Sequence, residues 1–234
     1  MKKVLFCIDF DGVIMNSIDE CCITSYNAYF DRQYNSISAI PKQFIEYFYE
    51  NRYMVGPAKY FYIICKTFED SIQLTRKIFN EKLIIYDKEF SQYANKFYFE
   101  RTQFKDHMQK WFSSHSIYNQ FETFLNTTNN NFIIVTNKDK NSVEQLSKYF
   151  GFSNRILEIY SKEISEDKKI LFTQLMIKYA GYNKYYFVDD NPENIKSVEK
   201  INKLDCFIAG WGYNRMSELN NFNIINSFNS LIIN

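Results

Sequence analysis

The sequence predicts an α/β fold, a doubly wound parallel sheet with an all-helical insertion after its first strand. Three observations carry that prediction. Short apolar runs ending in acidic, hydroxyl or amide residues recur along the chain, helical patterns separate the later runs, and more than a hundred residues part the first run from the second. Apolar runs of this length fit strands buried on both faces, and strand–helix alternation is the mark of right-handed βαβ units.

The first run, Val4-Leu5-Phe6-Cys7-Ile8, stops at Asp9 and Asp11. The second, Phe132-Ile133-Ile134-Val135, stops at Thr136-Asn137, and a third, Ile156 to Tyr160, is interrupted by Glu158. A fourth, Tyr185-Tyr186-Phe187-Val188, meets Asp189-Asp190, and a fifth, Cys206 to Ala209, meets Gly210. Residues 139–150 open on polar capping residues and close at Gly151, where a left-handed residue is expected after a helix. Residues 166–180 read as a second helix ending before Gly181. Asn191-Pro192-Glu193 supplies a cap, a proline at the first helical position and an acid in the first turn. Between 16 and 125 the periodicity is helical and aromatics are frequent, with amphipathic segments at 18–30 and 58–68. The expected domains are therefore an α/β core of residues 1–15 and 126–234 and a helical insertion of residues 16–125.

The bulk properties exclude several function classes. Lysine and arginine (28) nearly balance aspartate and glutamate (27), which leaves neither the basic stripe of a nucleic-acid binder nor the acidic excess of a disordered chain. No nucleic-acid partner is expected. Five cysteines without metal-finger spacing read as buried free thiols of a cytoplasmic protein. The apolar run after Lys3 is too short for a signal peptide, and no stretch reaches the length of a membrane span.

The chemistry sits at the strand ends. In open α/β sheets ligands bind beyond the carboxyl ends of the strands, so three strands deliver Asp9 and Asp11, Thr136 and Asn137, and Asp189 and Asp190 to one edge. Converging carboxylates repel unless some are protonated or a cation joins them. Oxygen-only ligation is the habit of Mg²⁺. With such an ion present, one carboxylate can attack phosphorus, and a second, two residues along, can serve as general acid and base.

Ile8-Asp9-Phe10-Asp11-Gly12-Val13-Ile14, with Asn16-Ser17 behind it, resembles the first motif of the haloacid dehalogenase (HAD) superfamily. Val135-Thr136-Asn137-Lys138 resembles its second motif, and Phe187 to Asn194 its fourth. Trp211-Gly212-Tyr213 is similar to the phosphoglycolate-phosphatase-like branch. The resemblance implies a Rossmann-like core with an inserted helical cap that closes over the site and selects the substrate. It implies Asp9 as nucleophile and metal ligand, and Asp11 as general acid/base whose main-chain carbonyl also meets the metal. Thr136, the amide of Asn137 and Lys168 would hold the phosphoryl group. Asp190 would complete the ligands of Mg²⁺, supported by Asp189 or Asn194. The family's lysine motif is blurred in Glu166-Asp167-Lys168-Lys169, with Lys169 and then Lys162 as alternatives to Lys168.

The implied function is Mg²⁺-dependent hydrolysis of a small phosphorylated metabolite by a monomer or homodimer. A sugar phosphomutase of the same superfamily and a non-catalytic binding protein on the same fold are the alternatives. Arg52 and Lys59 are candidate substrate contacts or solvated charges. His107 and His115 read as surface or packing histidines, and Trp211 and Tyr213 as packing against the sheet edge.

Overall fold

The structure, a computed structural model, describes residues 3–232. These divide into two compact units, one running to Asn16 and resuming at Ile117, the other spanning Ser17–Ser116.

The helical unit contains α1 (Ile18–Phe30), α2 (Lys42–Asn51), α3 (Phe61–Glu69), α4 (Arg76–Ile85), α5 (Asp87–Asp106) and α6 (Met108–Ser113). Its interior is aromatic, with Phe44, Phe48, Phe61, Phe97 and Trp111 fully buried and Phe61 stacked on Phe97 at 5.6 Å between centroids. One ion pair lies inside it. Arg101 on α5 meets Glu20 on α1 through two bonds of 2.8 and 3.0 Å, and both side chains are buried. That is the forked geometry in which guanidinium matches carboxylate. Arg52 is also buried, donates to the Val55 carbonyl at 2.7 Å and lies over the Phe61 ring. It is thus part of the packing of this unit, not a solvated charge.

The sheet unit contains β1 (Val4–Ile8), α7 (Asn119–Thr127), β2 (Phe132–Val135), α8 (Lys140–Tyr149), β3 (Ile156–Tyr160), α9 (Lys168–Lys178), β4 (Lys184–Asp189), α10 (Pro192–Val198), β5 (Leu204–Ala209) and β6 (Ile224–Ile225). These six strands form one sheet, paired in parallel throughout, in the order β3-β2-β1-β4-β5-β6. Strand side chains alternate between faces, and each face of β1 is covered. Leu5 and Cys7 join Leu171, Phe172 and Leu175 of α9 and Ile195 and Val198 of α10. On the opposite face Phe6 meets Phe124 of α7 at 5.3 Å, and Phe121 meets Phe132 at 5.4 Å. These rings explain why the helical unit ends at Ser116 rather than near residue 125: the apolar side of α7 belongs to the sheet. Each fully buried Phe contributes about 1.5–3 kcal/mol relative to exposure.

Local signals fix the helix ends. Asp139 accepts from the Ser142 amide, Gly151 adopts φ +80° after α8, and Asn191 accepts from the Glu193 amide. The helix expected from 166 starts at Lys168, because the Asp167 side chain caps it by accepting from the Lys169 amide.

Candidate active site

Register brings the strand ends together. Ile8 lies opposite Ile134 on one side and Val188 on the other, so Asp9, Val135 and Asp189 follow at one level. The main chain of Asp9 still belongs to the sheet, its amide donating to the Val188 carbonyl at 2.9 Å. Beyond it the chain folds into a tight loop, with the amides of Ile14 and Met15 both donating to the Phe10 carbonyl. Gly12 sits inside this loop at φ +87°, and a Cβ there would stand 2.1 Å from Oδ2 of Asp190. Both the left-handed backbone and the close approach require glycine.

Two buried lysines meet the two carboxylates of the first loop. Lys168, at the start of α9, places Nζ 2.8 Å from Oδ1 of Asp9, 2.5 Å from the Val135 carbonyl and 3.6 Å from Oδ2 of Asp189. Lys169 is exposed. Lys138 places Nζ 3.1 and 3.3 Å from the two carboxylate oxygens of Asp11, and its main-chain amide donates to the Thr136 hydroxyl at 3.1 Å. Thr136 is itself buried, directly after β2.

Asp9, Asp189 and Asp190 form a buried acidic cluster, with one carboxylate oxygen of each lying within 4.8 Å of the others. Burial pushes the Asp9 carboxyl up to about 7, against the lowering effect of Lys168 and with the help of the neighbouring Asp189 charge. Burial likewise raises Asp189, while Lys168 pulls it down. Three buried carboxylates beside one another are the environment that a hard divalent cation relieves, and an all-oxygen donor set suits Mg²⁺. Asp189 is oriented by the Asn191 amide at 2.8 Å and the Asn194 side-chain amide at 2.9 Å. Asp190 accepts from the Tyr213 amide at 2.6 Å.

The structure thus gathers Asp9, Lys168, Asp189 and Asp190 into one cluster and sets the Asp11 carboxylate on Lys138 instead. Asn137 is half-buried beside Thr136. His107 is exposed and His115 is buried against the Trp111 carbonyl at 2.8 Å, both in the helical unit. The Trp211 ring packs on Phe228, just beyond the edge strand, at 5.4 Å between centroids, and both Trp211 and Tyr213 also make hydrogen bonds. Trp211 donates to the Val13 carbonyl at 3.1 Å and the Tyr213 hydroxyl to Asn16 at 2.9 Å, so both tie the segment after β5 to the loop after β1. Gly212 permits this, since a Cβ would meet the Gly12 carbonyl at 2.4 Å. Lys138 is the site residue that pattern reading passed over, although its place two residues beyond Thr136 was available as a signal.

No protein-family model matches the sequence, and no match to it is found among the curated proteins. Solved structures match over almost the whole chain. A haloacid dehalogenase-like family hydrolase from Streptococcus pneumoniae superposes with a TM-score of 0.66 at 13% identity, covering 98% of this chain and 96% of the other. A predicted phosphoglycolate phosphatase from Haemophilus somnus gives 0.64 at 15% identity, covering 97% and 95%. Protein tyrosine kinase A of Mycobacterium tuberculosis gives 0.61 at 13% identity, covering 98% and 96%. At these identities what is shared is the fold, and this chain has the fold of the haloacid dehalogenase-like hydrolases.

Proposed function

We propose that the chain is a phosphatase of the HAD superfamily that hydrolyses a small phosphomonoester through an aspartyl phosphate on Asp9. The observation that carries this reading is the buried Lys168–Asp9 contact of 2.8 Å beside the Asp189 and Asp190 carboxylates. A lysine and an acidic cluster of this kind, at the carboxyl edge of a parallel sheet, where ligands bind in open α/β folds, fit a site that binds and attacks a dianionic phosphoryl group.

In the first step an Asp9 carboxylate oxygen forms a bond to phosphorus while the ester P–O bond breaks. The departing oxygen keeps the bonding pair and takes a proton from Asp11, leaving as the alcohol. In the second step water attacks the same phosphorus and gives a proton to the Asp11 carboxylate. The bond from phosphorus to Asp9 breaks, its pair returns to the carboxylate, and orthophosphate leaves. Lys168 offsets charge on Asp9 and the phosphoryl oxygens. The Thr136 hydroxyl, which accepts from the Lys138 amide, keeps its hydrogen to donate to a phosphoryl oxygen, as would the Asn137 amide. Asp9, Asp190 and the Asp11 main-chain carbonyl would hold Mg²⁺, with Asp189 beside them. When bound, the cation supplies positive charge that lets an anionic nucleophile and a phosphate share the site.

The helical unit takes the role of a substrate-selecting cap in this proposal, and the protein that of a cytoplasmic enzyme. No helix among the described residues is long and apolar enough to cross a membrane. The test is hydrolysis of p-nitrophenyl phosphate by the purified protein with Mg²⁺ and with EDTA, beside Asp9→Asn. Metal-dependent turnover lost in the variant supports the reading; a folded protein inactive on this ester and on a panel of phosphorylated metabolites refutes it.

A further inference from the structure

Each carboxylate of the Asp9-Phe10-Asp11 segment has a buried lysine against it, and the two lysines come from different elements. Lys168 at the start of α9 meets Asp9, whereas Lys138, just after β2, meets Asp11. The Lys138 side chain is 0% exposed, while the Asp11 side chain retains 17%. Burying an ammonium costs several kcal/mol unless a charge or hydrogen bonds answer it. The contact is two-pronged, reaching both Asp11 oxygens, and the same residue's amide fixes the Thr136 hydroxyl. The main chain of Asp11 is held in the tight loop by a bridge to Met15, while its carboxylate stands on two rotatable bonds of its own. A buried cation anchored to a strand end selects among the orientations these allow.

We propose that Lys138 is a positioning residue for Asp11, aiming its carboxyl group at the leaving oxygen and locking it to the phosphoryl-holding Thr136. This rests on the phosphatase reading above and adds a residue to it. Proton donation matters most when the leaving oxygen is basic, so loss of aim costs most on esters of weakly acidic alcohols. Loss of phosphate binding, or of packing, costs the same on every ester.

The experiment compares phenyl phosphate with p-nitrophenyl phosphate for wild type, Lys138→Met and Lys138→Arg, each checked by thermal melt. For Lys138→Met the expected loss of kcat/KM, which reports the step that expels the alcohol, is larger on phenyl phosphate by about tenfold or more, within the roughly 10²–10⁴-fold that a positioned proton donor contributes. Inhibition by orthophosphate stays near wild type, and Lys138→Arg regains part of the loss. In an Asp11→Asn background the Lys138→Met substitution adds little, because the group it serves is gone. Equal losses of kcat/KM on both esters, weakened orthophosphate inhibition, or full additivity with Asp11→Asn would each overturn the proposal. If Lys138→Met does not melt cooperatively, Lys138→Gln, neutral and polar, is read by the same criteria. Wild-type activity on neither ester would bring down the phosphatase reading and this proposal together; wild-type activity with equal losses brings down this proposal alone.

Discussion

Nζ of Lys168 lies 2.8 Å from Oδ1 of Asp9 and 2.5 Å from the carbonyl of Val135, so one ammonium joins the ends of β1 and β2. The pair is buried, and Asp189 stands 3.6 Å away on the next strand. Replacing this lysine leaves two buried carboxylates facing each other without their counter-charge. Lys168→Met is expected to lose about 10²–10³-fold in kcat, the range for removing one preorganised electrostatic contact. It is also expected to lower the stability of the metal-free protein by about 3–5 kcal/mol at pH 8. At pH 5 the orphaned carboxyls keep their protons and the stability loss shrinks. Urea melts at the two pH values check this; an equal loss at both contradicts it.

The metal-free wild type should itself lose stability as pH rises. Burial pushes Asp9 up to about 7 in the fold, against about 4 for an unfolded aspartate. Between those values the folded state binds more protons than the unfolded one, so stability falls with increasing pH. The stabilisation is complete below about pH 4 and gone once pH has passed the folded value of about 7. Asp189 shifts the same way. In calorimetry with EDTA, Asp9→Asn should show a shallower decline of Tm across this window than wild type. Saturating Mg²⁺ should raise the wild-type Tm most at the alkaline end. A wild-type Tm that climbs steadily from pH 5 to 8 in EDTA would falsify the electrostatic account.

Gly12→Ala tests the join between the first and fourth strand ends. An alanine Cβ would stand 2.1 Å from Oδ2 of Asp190 and would have to adopt φ +87°. Since Asp190 must then move, the Mg²⁺ concentration for half-maximal activity is expected to rise about 10–100-fold, the usual cost of disturbing what orients a ligand. Titration of activity with Mg²⁺ measures it, and an unchanged requirement would show that Asp190 does not serve the metal.

Stability of the helical unit should depend on the Glu20–Arg101 pair. Arg101→Met takes the counter-charge from a fully buried carboxylate that keeps the Thr24 hydroxyl and Cys21 thiol as donors and is expected to cost about 3–5 kcal/mol. The double variant Glu20→Leu, Arg101→Met should recover most of that loss, because two apolar groups need no partners. Denaturant melts of both variants decide it; a double variant as unstable as the single would assign the cost to packing.

The strand ends were legible because their chemistry is local. Residues 132–135 read as a buried strand from composition alone, and Asp9, Thr136 and Asp190 announce themselves by following such runs. Register, which levels Ile8 with Ile134 and Val188, then follows from the topology of parallel strands. Other features depend on partners distant in sequence. Ile224–Ile225 is too short to show a pattern and is a strand only because Ile208 and Ala209 lie beside it. The aromatic side of α7 gives no sign whether it faces helices or a sheet, so its membership is decided by Phe6 and Phe132. Lys138 stood within a recognisable motif, yet its contact with Asp11 spans 127 positions, and no spacing rule reaches that far. Trp211 and Tyr213 bind the first loop through hydrogen bonds that hydrophobic patterning does not register.

The central claim is that Asp9 becomes covalently phosphorylated. Acyl phosphates are reduced by borohydride, and an aspartyl phosphate yields homoserine. The decisive measurement is mass spectrometry of the peptide containing residue 9 after borohydride quenching of the Mg²⁺-loaded protein during turnover of p-nitrophenyl phosphate. The account predicts homoserine at position 9, dependent on substrate and absent without Mg²⁺. Sustained turnover with Asp9 recovered unmodified, or with homoserine at another aspartate instead, would contradict it.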